Sequence, residues 1–355
     1  MADNNNLAGT LPQELGLLDE LDLLSFPSNE NLRGTIPSQI FSISSLSYLY
    51  LGFNSLTGNL PTEVGQLGAV ATMVVWYNYL TGSLPSELSL CTNLQSLIVS
   101  NNLLEGTLPT ELGSLSMFTS LSVDTNGFDG TIPSELGNLT SLKFLELQEL
   151  PLLTGSIPSE FRLMTSLMHL SCADNQLTGT IPTEFGELTK LTTLLLYNIP
   201  LMTGTIPTQL GLMTDLAFLF FGRTQFNGTI PTELGRLTNM RWLSLAKLPD
   251  LTGTIPTELG MMTDMDVLYL YDTQLSGTIP TEFGGLTKLT LLEAYDSTIT
   301  GSVDGIFCNH PKNAFNFEFL TLDCLDDPPE VECPCCTVCC NETTCCNETT
   351  CELIE

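Results

Sequence analysis

LTGTIPTELGMMTDMDVLYLYDTQ (residues 251–274) runs directly into LSGTIPTEFGGLTKLTLLEAYDST (residues 275–298). The two segments are one 24-residue phrase written twice. Extended in both directions, the phrase opens at Leu7, Leu32, Leu56, Leu80, Leu104, Phe128, Leu153, Leu177, Met202, Phe226, Leu251 and Leu275. These are twelve units of 24 or 25 residues, and a degenerate thirteenth opens at Ile299. The template is L-T-G-T-I-P-T-E-L-G-x-L-T-x-L-x-x-L-x-L-x-x-N-x. One such unit cannot bury its leucines alone, whereas stacked units share one continuous apolar column.

In the second half of each unit, apolar residues alternate with free positions, as in LSYLYLGFN (46–54). That is the period of a strand with one buried face. The strands must lie side by side in parallel, about 4.8 Å apart. The register predicts strands over 46–51, 94–99, 145–147, 194–196, 243–245 and 268–270. In the first half, Pro fits the first position of a short helical turn, and the Gly of E-L-G can end it. The Asn slot holds Asn29, Asn54, Asn78, Asn102, Asn126 and Asn175. Elsewhere it holds Leu150, Ile199 or Leu248, each followed by Pro, or Thr224, Thr273 or Ser297. A buried amide there can bond backbone groups of adjacent turns. The other units must use Thr hydroxyls and a rearranged corner.

L-x-G-x-I-P followed by L-x-x-L-x-L resembles the plant-type leucine-rich repeat family, from Leu7 to about Thr298. The resemblance implies an α/β solenoid that is mostly β. Its parts are a right-handed superhelix, a parallel inner sheet, a short second sheet from the L-T-G-T-I segments, and short 3-10 turns. The tail VECPCCTVCC (331–340) resembles that of secreted leucine-rich repeat proteins of diatoms. The expected organisation is an N-terminal fragment without a cap (1–6), twelve repeats (7–298), a degenerate repeat with C-terminal cap (299–324), and a Cys-rich acidic tail (325–355).

Forty acidic against ten basic residues leave a net charge of −30. Such a surface repels phosphate backbones and anionic headgroups, which argues against nucleic acid and membrane surfaces as partners. No run of about twenty apolar residues suits membrane insertion. Ten of the twelve cysteines lie between Cys308 and Cys351, interleaved with the acceptors Asn341 and Asn347; Asn138 and Asn227 are two further N-x-S/T sites. The combination reads as a secretory route to the cell surface or exterior. Residues 1–20 hold no signal peptide, so Met1 is expected to open a truncated chain.

His169, Ser171 and Asp174 lie on one strand, where side chains project side by side and cannot converge as a triad. No catalytic residue, metal ligand set or cofactor motif is expected. Cys91 and Cys172 fall on template Leu positions and read as core. The family resemblance implies a Cys308–Cys324 bridge closing the last repeat. The other eight cysteines read as a disulfide knot or as links between chains, giving self-association through the tail. Ten Glu residues, Glu14 to Glu282, share one template position, where the first turn of a short helix favours negative charge.

The free strand positions remain as the recognition surface. Tyr197, Phe218, Phe220, Arg223, Arg241, Trp242, Lys247, Tyr269, Tyr271 and Tyr295 gather there in units eight to twelve. Aromatic and Arg anchors dominate interfaces. Facing solvent, they are expected to cost little stability when truncated. A smaller group is Tyr48, Tyr50, Phe53, Trp76 and Tyr77. The leading expectation is a non-catalytic extracellular module that binds a protein, peptide or glycan on its concave face. The alternatives are a cross-linked structural wall protein, or an ice-binding protein that uses Thr ranks such as Thr178 and Thr180.

Overall fold

Each repeat spends its alternating half on a strand of three residues. The computed structural model describes residues 5–308, 317–323, 331–333, 336–340, 344–346 and 351–353. It divides into two units, Met1–Leu177 and Thr178–Glu355. In the first, the inner strands Leu23–Ser25, Tyr48–Tyr50, Thr72–Val74, Ser96–Ile98, Ser120–Ser122, Phe144–Glu146 and His169–Ser171 pair in parallel and in chain order. In the second, Thr193–Leu195, Phe218–Phe220, Trp242–Ser244, Val267–Tyr269, Leu291–Glu293 and Phe319–Asp323 do the same. The strands expected over 46–51 and 94–99 shorten to Tyr48–Tyr50 and Ser96–Ile98, and the other four keep three residues but start one residue early. Three residues after each strand the chain turns through a left-handed residue, such as Phe53 at φ 55 or Arg223 at φ 59, whose N–H still donates to the next repeat, at the carbonyls of Trp76 and Lys247.

The L-T-G-T-I segments form the second sheet in each unit, for example Leu103–Thr107 beside Gly127–Thr131, and Gln225–Gly228 beside Leu248–Thr254. The Thr residues interlock these segments. Thr154, Thr252 and Thr300 donate their hydroxyls to the carbonyls of Gly130, Gly228 and Gly277 in the preceding repeat. The methyl of Thr131 fills the space that a side chain on Gly155 would need, 2.8 Å from its Cβ position. The Thr ranks thus have a structural employment inside the repeat stack.

The remaining part of each repeat is a 3-10 turn. Two expectations about it need correction. Pro does not occupy the first helical position; Pro37, Pro109 and Pro207 stand one residue earlier with extended ψ, as N-caps. Nor does the Gly of E-L-G end the turn in a left-handed conformation. Gly113 lies within the turn Thr110–Ser114, and a Cβ there would sit 2.2 Å from the Glu135 carbonyl oxygen of the next repeat. The glycine is therefore a spacer, without which neighbouring turns could not approach so closely.

Between the sheets and the turns runs the core. Leu49, Met73, Leu97, Leu121, Leu145 and Leu170 are fully buried in the first unit, and Leu194, Leu219, Leu243, Leu268 and Leu292 in the second. Asn54, Asn78, Asn102 and Asn126 form the expected ladder. Asn102, for instance, accepts from the Leu80 N–H at 3.0 Å and donates to the Val75 and Val99 carbonyls. Where Thr fills the slot, one bond survives: Thr224 and Thr273 donate to the carbonyls of Phe221 and Leu270, three residues back. At the Pro corners a Gln of the next repeat does the rest, with Gln225 and Gln274 donating to the carbonyls of Pro200 and Pro249 at 2.6 Å.

The Cys-rich tail continues the sheet. Val338–Cys340 pairs in parallel with Phe319–Asp323, and Thr344–Cys346 and Cys351–Leu353 follow as antiparallel strands. Cys333 and Cys336 are disulfide-bonded. Of the expected Cys308–Cys324 bridge, Cys324 lies outside the described residues.

Candidate functional site

Four positions per repeat supply the inner face: the two outward residues of the strand and the two residues before the Asn slot. The last of these is always left-handed in the described repeats, from Ser28 to Asp296. A non-Gly residue there carries a small conformational cost, and its side chain is thrown to the edge of the sheet. Arg223 and Lys247 occupy this position in adjacent repeats. The turn demands their backbone geometry, and the sequence chooses what they carry.

In the second unit these positions enclose a cleft of about 380 Å³. Gly222, Ala246 and Ser244 form its buried floor. Leu195, Tyr197 and Phe220 on one side and Tyr269 and Tyr271 on the other form its walls, with Arg223 and Lys247 along one edge. The cleft exists because two small residues interrupt a column otherwise holding Tyr197, Tyr271 and Tyr295. At Gly222 a Cβ would lie 2.9 Å from the Ala246 carbonyl oxygen, so close packing excludes a side chain there.

Six of the ten residues expected from sequence line this cleft: Tyr197, Phe220, Arg223, Lys247, Tyr269 and Tyr271. The other four stand behind or beside it. Trp242 packs between Phe220 and Tyr269, with ring centroids 5.0 and 6.0 Å away. Its indole Nε1 is buried and has no hydrogen-bond partner. Trp242 is thus a partly buried support, which corrects the expectation that it faces solvent at no cost. The Arg241 guanidinium lies over the Phe218 ring at 6.0 Å. Tyr295 stacks on Tyr271 at 4.8 Å with rings nearly parallel. Sequence reading missed Gly222, Ser244 and Ala246. Their signal was the lack of bulk beside aromatic neighbours in the same column.

Burial is the main cause that raises the Tyr269, Tyr271 and Tyr295 phenols above their ordinary 10.0, with the Glu293 carboxylate adding to it. Arg223 partly offsets this at Tyr271. Glu293 itself is pushed up from 4.5 by burial. The phenols therefore stay neutral donors at physiological pH, and the positive charge of the cleft rests on Arg223 and Lys247.

The other expectations fall as follows. His169 is partly buried with Nε2 3.8 Å from Glu146, and burial lowers its pKa against the pull of that carboxylate. Ser171 donates to Gln148 at 2.7 Å, so His169, Ser171 and Asp174 form no relay. Cys91 and Cys172 are buried free thiols, pushed up by burial to about 11 and about 12. Among the described residues no three His, Cys, Asp or Glu side chains converge as a metal site. Asn138 is exposed on a 3-10 turn and Asn227 on the second sheet, while Asn341 and Asn347 lie outside the described residues. No described helix is long and apolar enough to cross a membrane.

A leucine-rich repeat family model matches residues 45–67, 93–115 and 166–188. No curated protein sequence matches the chain. Among solved structures, the plant peptide hormone receptor RGFR1 in complex with RGF2 is 33% identical over 84% of this chain and 51% of its own, with a TM-score of 0.76. A TDR receptor is 28% identical over 84% of this chain and 55% of its own, also with a TM-score of 0.76. A leucine-rich repeat protein of Leptospira interrogans is 26% identical over 93% of this chain and 90% of its own, with a TM-score of 0.64. The chain spans about half the length of these two receptors.

Proposed function

We propose, from the premise that the chain is a leucine-rich repeat protein of the plant type, that it is a non-catalytic recognition module holding a peptide on its inner face. The observation that carries this reading is the cleft between Tyr197 and Tyr271, with its small-residue floor and two adjacent cations. An apolar notch with a few placed polar groups is the usual form of a ligand pocket. Similarity to a peptide hormone receptor solved with its peptide supports a peptide ahead of a glycan. Aromatic walls suit an apolar or aromatic side chain, and Arg223 with Lys247 suits an acidic group beside it. The exposed acceptors Asn138 and Asn227 fit a secreted or cell-surface setting.

The test is selection of peptides from a random display library on the purified chain, followed by titration of the best binder. Arg223→Ala and Lys247→Ala are each expected to weaken it at least about tenfold, or about 1.4 kcal/mol. Glu184→Ala, on the outer turns, is expected to leave affinity unchanged. Full affinity in the double variant Arg223→Ala/Lys247→Ala would overturn the assignment.

A further inference from the structure

The inner face of the first unit carries a second cleft, of about 510 Å³, whose chemistry is the opposite of the one above. One wall is aromatic. Trp76 and Tyr77 meet edge to face at 5.6 Å, and Phe53 stacks on Tyr77 at 4.6 Å, so the wall is braced from behind. Phe144 lines the cleft from another repeat. The floor is built of hydroxyls and carboxylates. Asp124 is only 7% exposed and accepts from Ser100 Oγ at 2.5 Å and Ser122 Oγ at 2.7 Å. Ser122 Oγ also lies 2.7 Å from Ser100 Oγ and 2.8 Å from Glu146 Oε2. Two hydroxyl protons thus serve four short oxygen–oxygen contacts, and the floor is short of donors. Glu149 adds a third carboxylate, which accepts from the Thr125 hydroxyl at 3.2 Å.

Among the described residues no lysine or arginine pairs with Asp124, Glu146 or Glu149. The nearest base, His169, is held toward its neutral form by burial. An arriving cation rich in N–H donors would supply the protons this floor lacks and set a positive charge against its carboxylates. Among the described residues no three His, Cys, Asp or Glu side chains converge here as a metal site. A flat cation that spans separated acceptors fits better. The guanidinium group has five N–H donors in one plane, and it stacks on indole and phenol faces.

We propose that this cleft binds a guanidinium group, that of an arginine side chain in an extended peptide, between the aromatic wall of Trp76 and Tyr77 and the acceptors Asp124, Glu146 and Glu149. The site is independent of the cleft in the second unit, and either assignment can fail alone.

The probe is the capped tripeptide acetyl-Gly-Arg-Gly-amide, titrated calorimetrically into the full chain beside its citrulline counterpart, a neutral isostere. Saturable binding is expected for the arginine peptide, at least tenfold weaker for citrulline. Glu146→Gln/Glu149→Gln keeps shape and acceptors but removes two charges, and is expected to weaken binding at least tenfold. Trp76→Ala is expected to do likewise. The chain is acidic everywhere, so Glu87→Gln/Glu111→Gln on the outer turns removes the same charge elsewhere and is expected to change little. Thermal melting confirms that each variant is folded. Equal binding of the two peptides, equal losses in the two double variants, or no saturable heat from the folded wild type would each overturn the proposal. Displacement of the peptide by an equal concentration of calcium chloride would overturn it in favour of a metal site.

Discussion

A methyl group at Gly113 would sit 2.2 Å from the Glu135 carbonyl oxygen, while one at Gly68 would meet nothing within 4 Å. The two glycines hold different places in the repeat, Gly113 within its turn and Gly68 just beyond the turn Thr62–Gln66. Gly113→Ala forces two stacked turns apart and is expected to destabilise by about 1–3 kcal/mol, as overpacking does. Gly68 is exposed and has no left-handed φ, so Gly68→Ala is expected to be neutral or to stabilise by about 0.4–1 kcal/mol through the unfolded chain. Denaturant titration of both variants checks the contrast, and equal losses would show that the turns do not stack as closely as described. The same contrast governs the binding face. Gly222 and Ala246 matter for the space they leave, a property no residue type announces by itself.

At the scale of elements, the first repeat stands out. Leu18 is 48% exposed, whereas Ile43 and Cys91, which hold the same template position in later repeats, are 1% and 0% exposed. Its inner strand, Leu23–Ser25, pairs with Tyr48–Tyr50 and has no other neighbour among the described strands of its unit. In a repeat stack each unit draws its stability from its neighbours, so a unit covered on one side opens first. Amide hydrogen exchange in this chain is expected to be fastest across residues 7–31 and slower from the third repeat of the first unit onward. Uniform protection through that unit would show that the exposed leucines carry no penalty. Elements also explain where the Asn ladder could lapse. Thr224 and Thr273 keep the bond to their own turn, and Gln225 and Gln274 secure the proline corners. The slot is thus filled by a division of labour between residues.

At the scale of the whole molecule, the net charge of −30 dominates. Lys288 meets Asp264 at 2.6 Å, but both side chains are largely exposed, and such a pair contributes little. Mutual repulsion of surface carboxylates therefore outweighs attraction, and salt screens it. The Debye length falls from about 10 Å at 0.1 M to about 3 Å at 1 M ionic strength. The melting temperature is expected to rise by a few degrees across that range with sodium chloride, followed by circular dichroism. A fall would mean that ion pairs hold the fold together more than they strain it. Ligand binding at the two clefts should respond in the other sense, because the same screening weakens attraction to Arg223 and Lys247 and to Asp124 and Glu146.

The repeat phrase alone determined the solenoid, the parallel sheet, the second sheet and the buried columns. Each follows from a period, and a period survives in one dimension. LSYLYLGFN marks which residues of a strand face in or out before any coordinate is known. It also brought Tyr197, Arg223, Lys247 and Tyr271 to one face, since equal template positions in successive repeats must be neighbours. Tertiary structure alone decided depth. Whether a free position becomes a platform or a cleft depends on the volumes beside it in adjacent repeats, as with Gly222 and Ala246 between tyrosines. Whether Trp242 is an anchor or a support depends on Phe220 and Tyr269 closing over its indole. The Ser100–Ser122–Asp124–Glu146 floor spans three repeats and has no local signature. Its meaning lies in distances between residues 22 to 24 positions apart, which only the stacking of one repeat on the next creates.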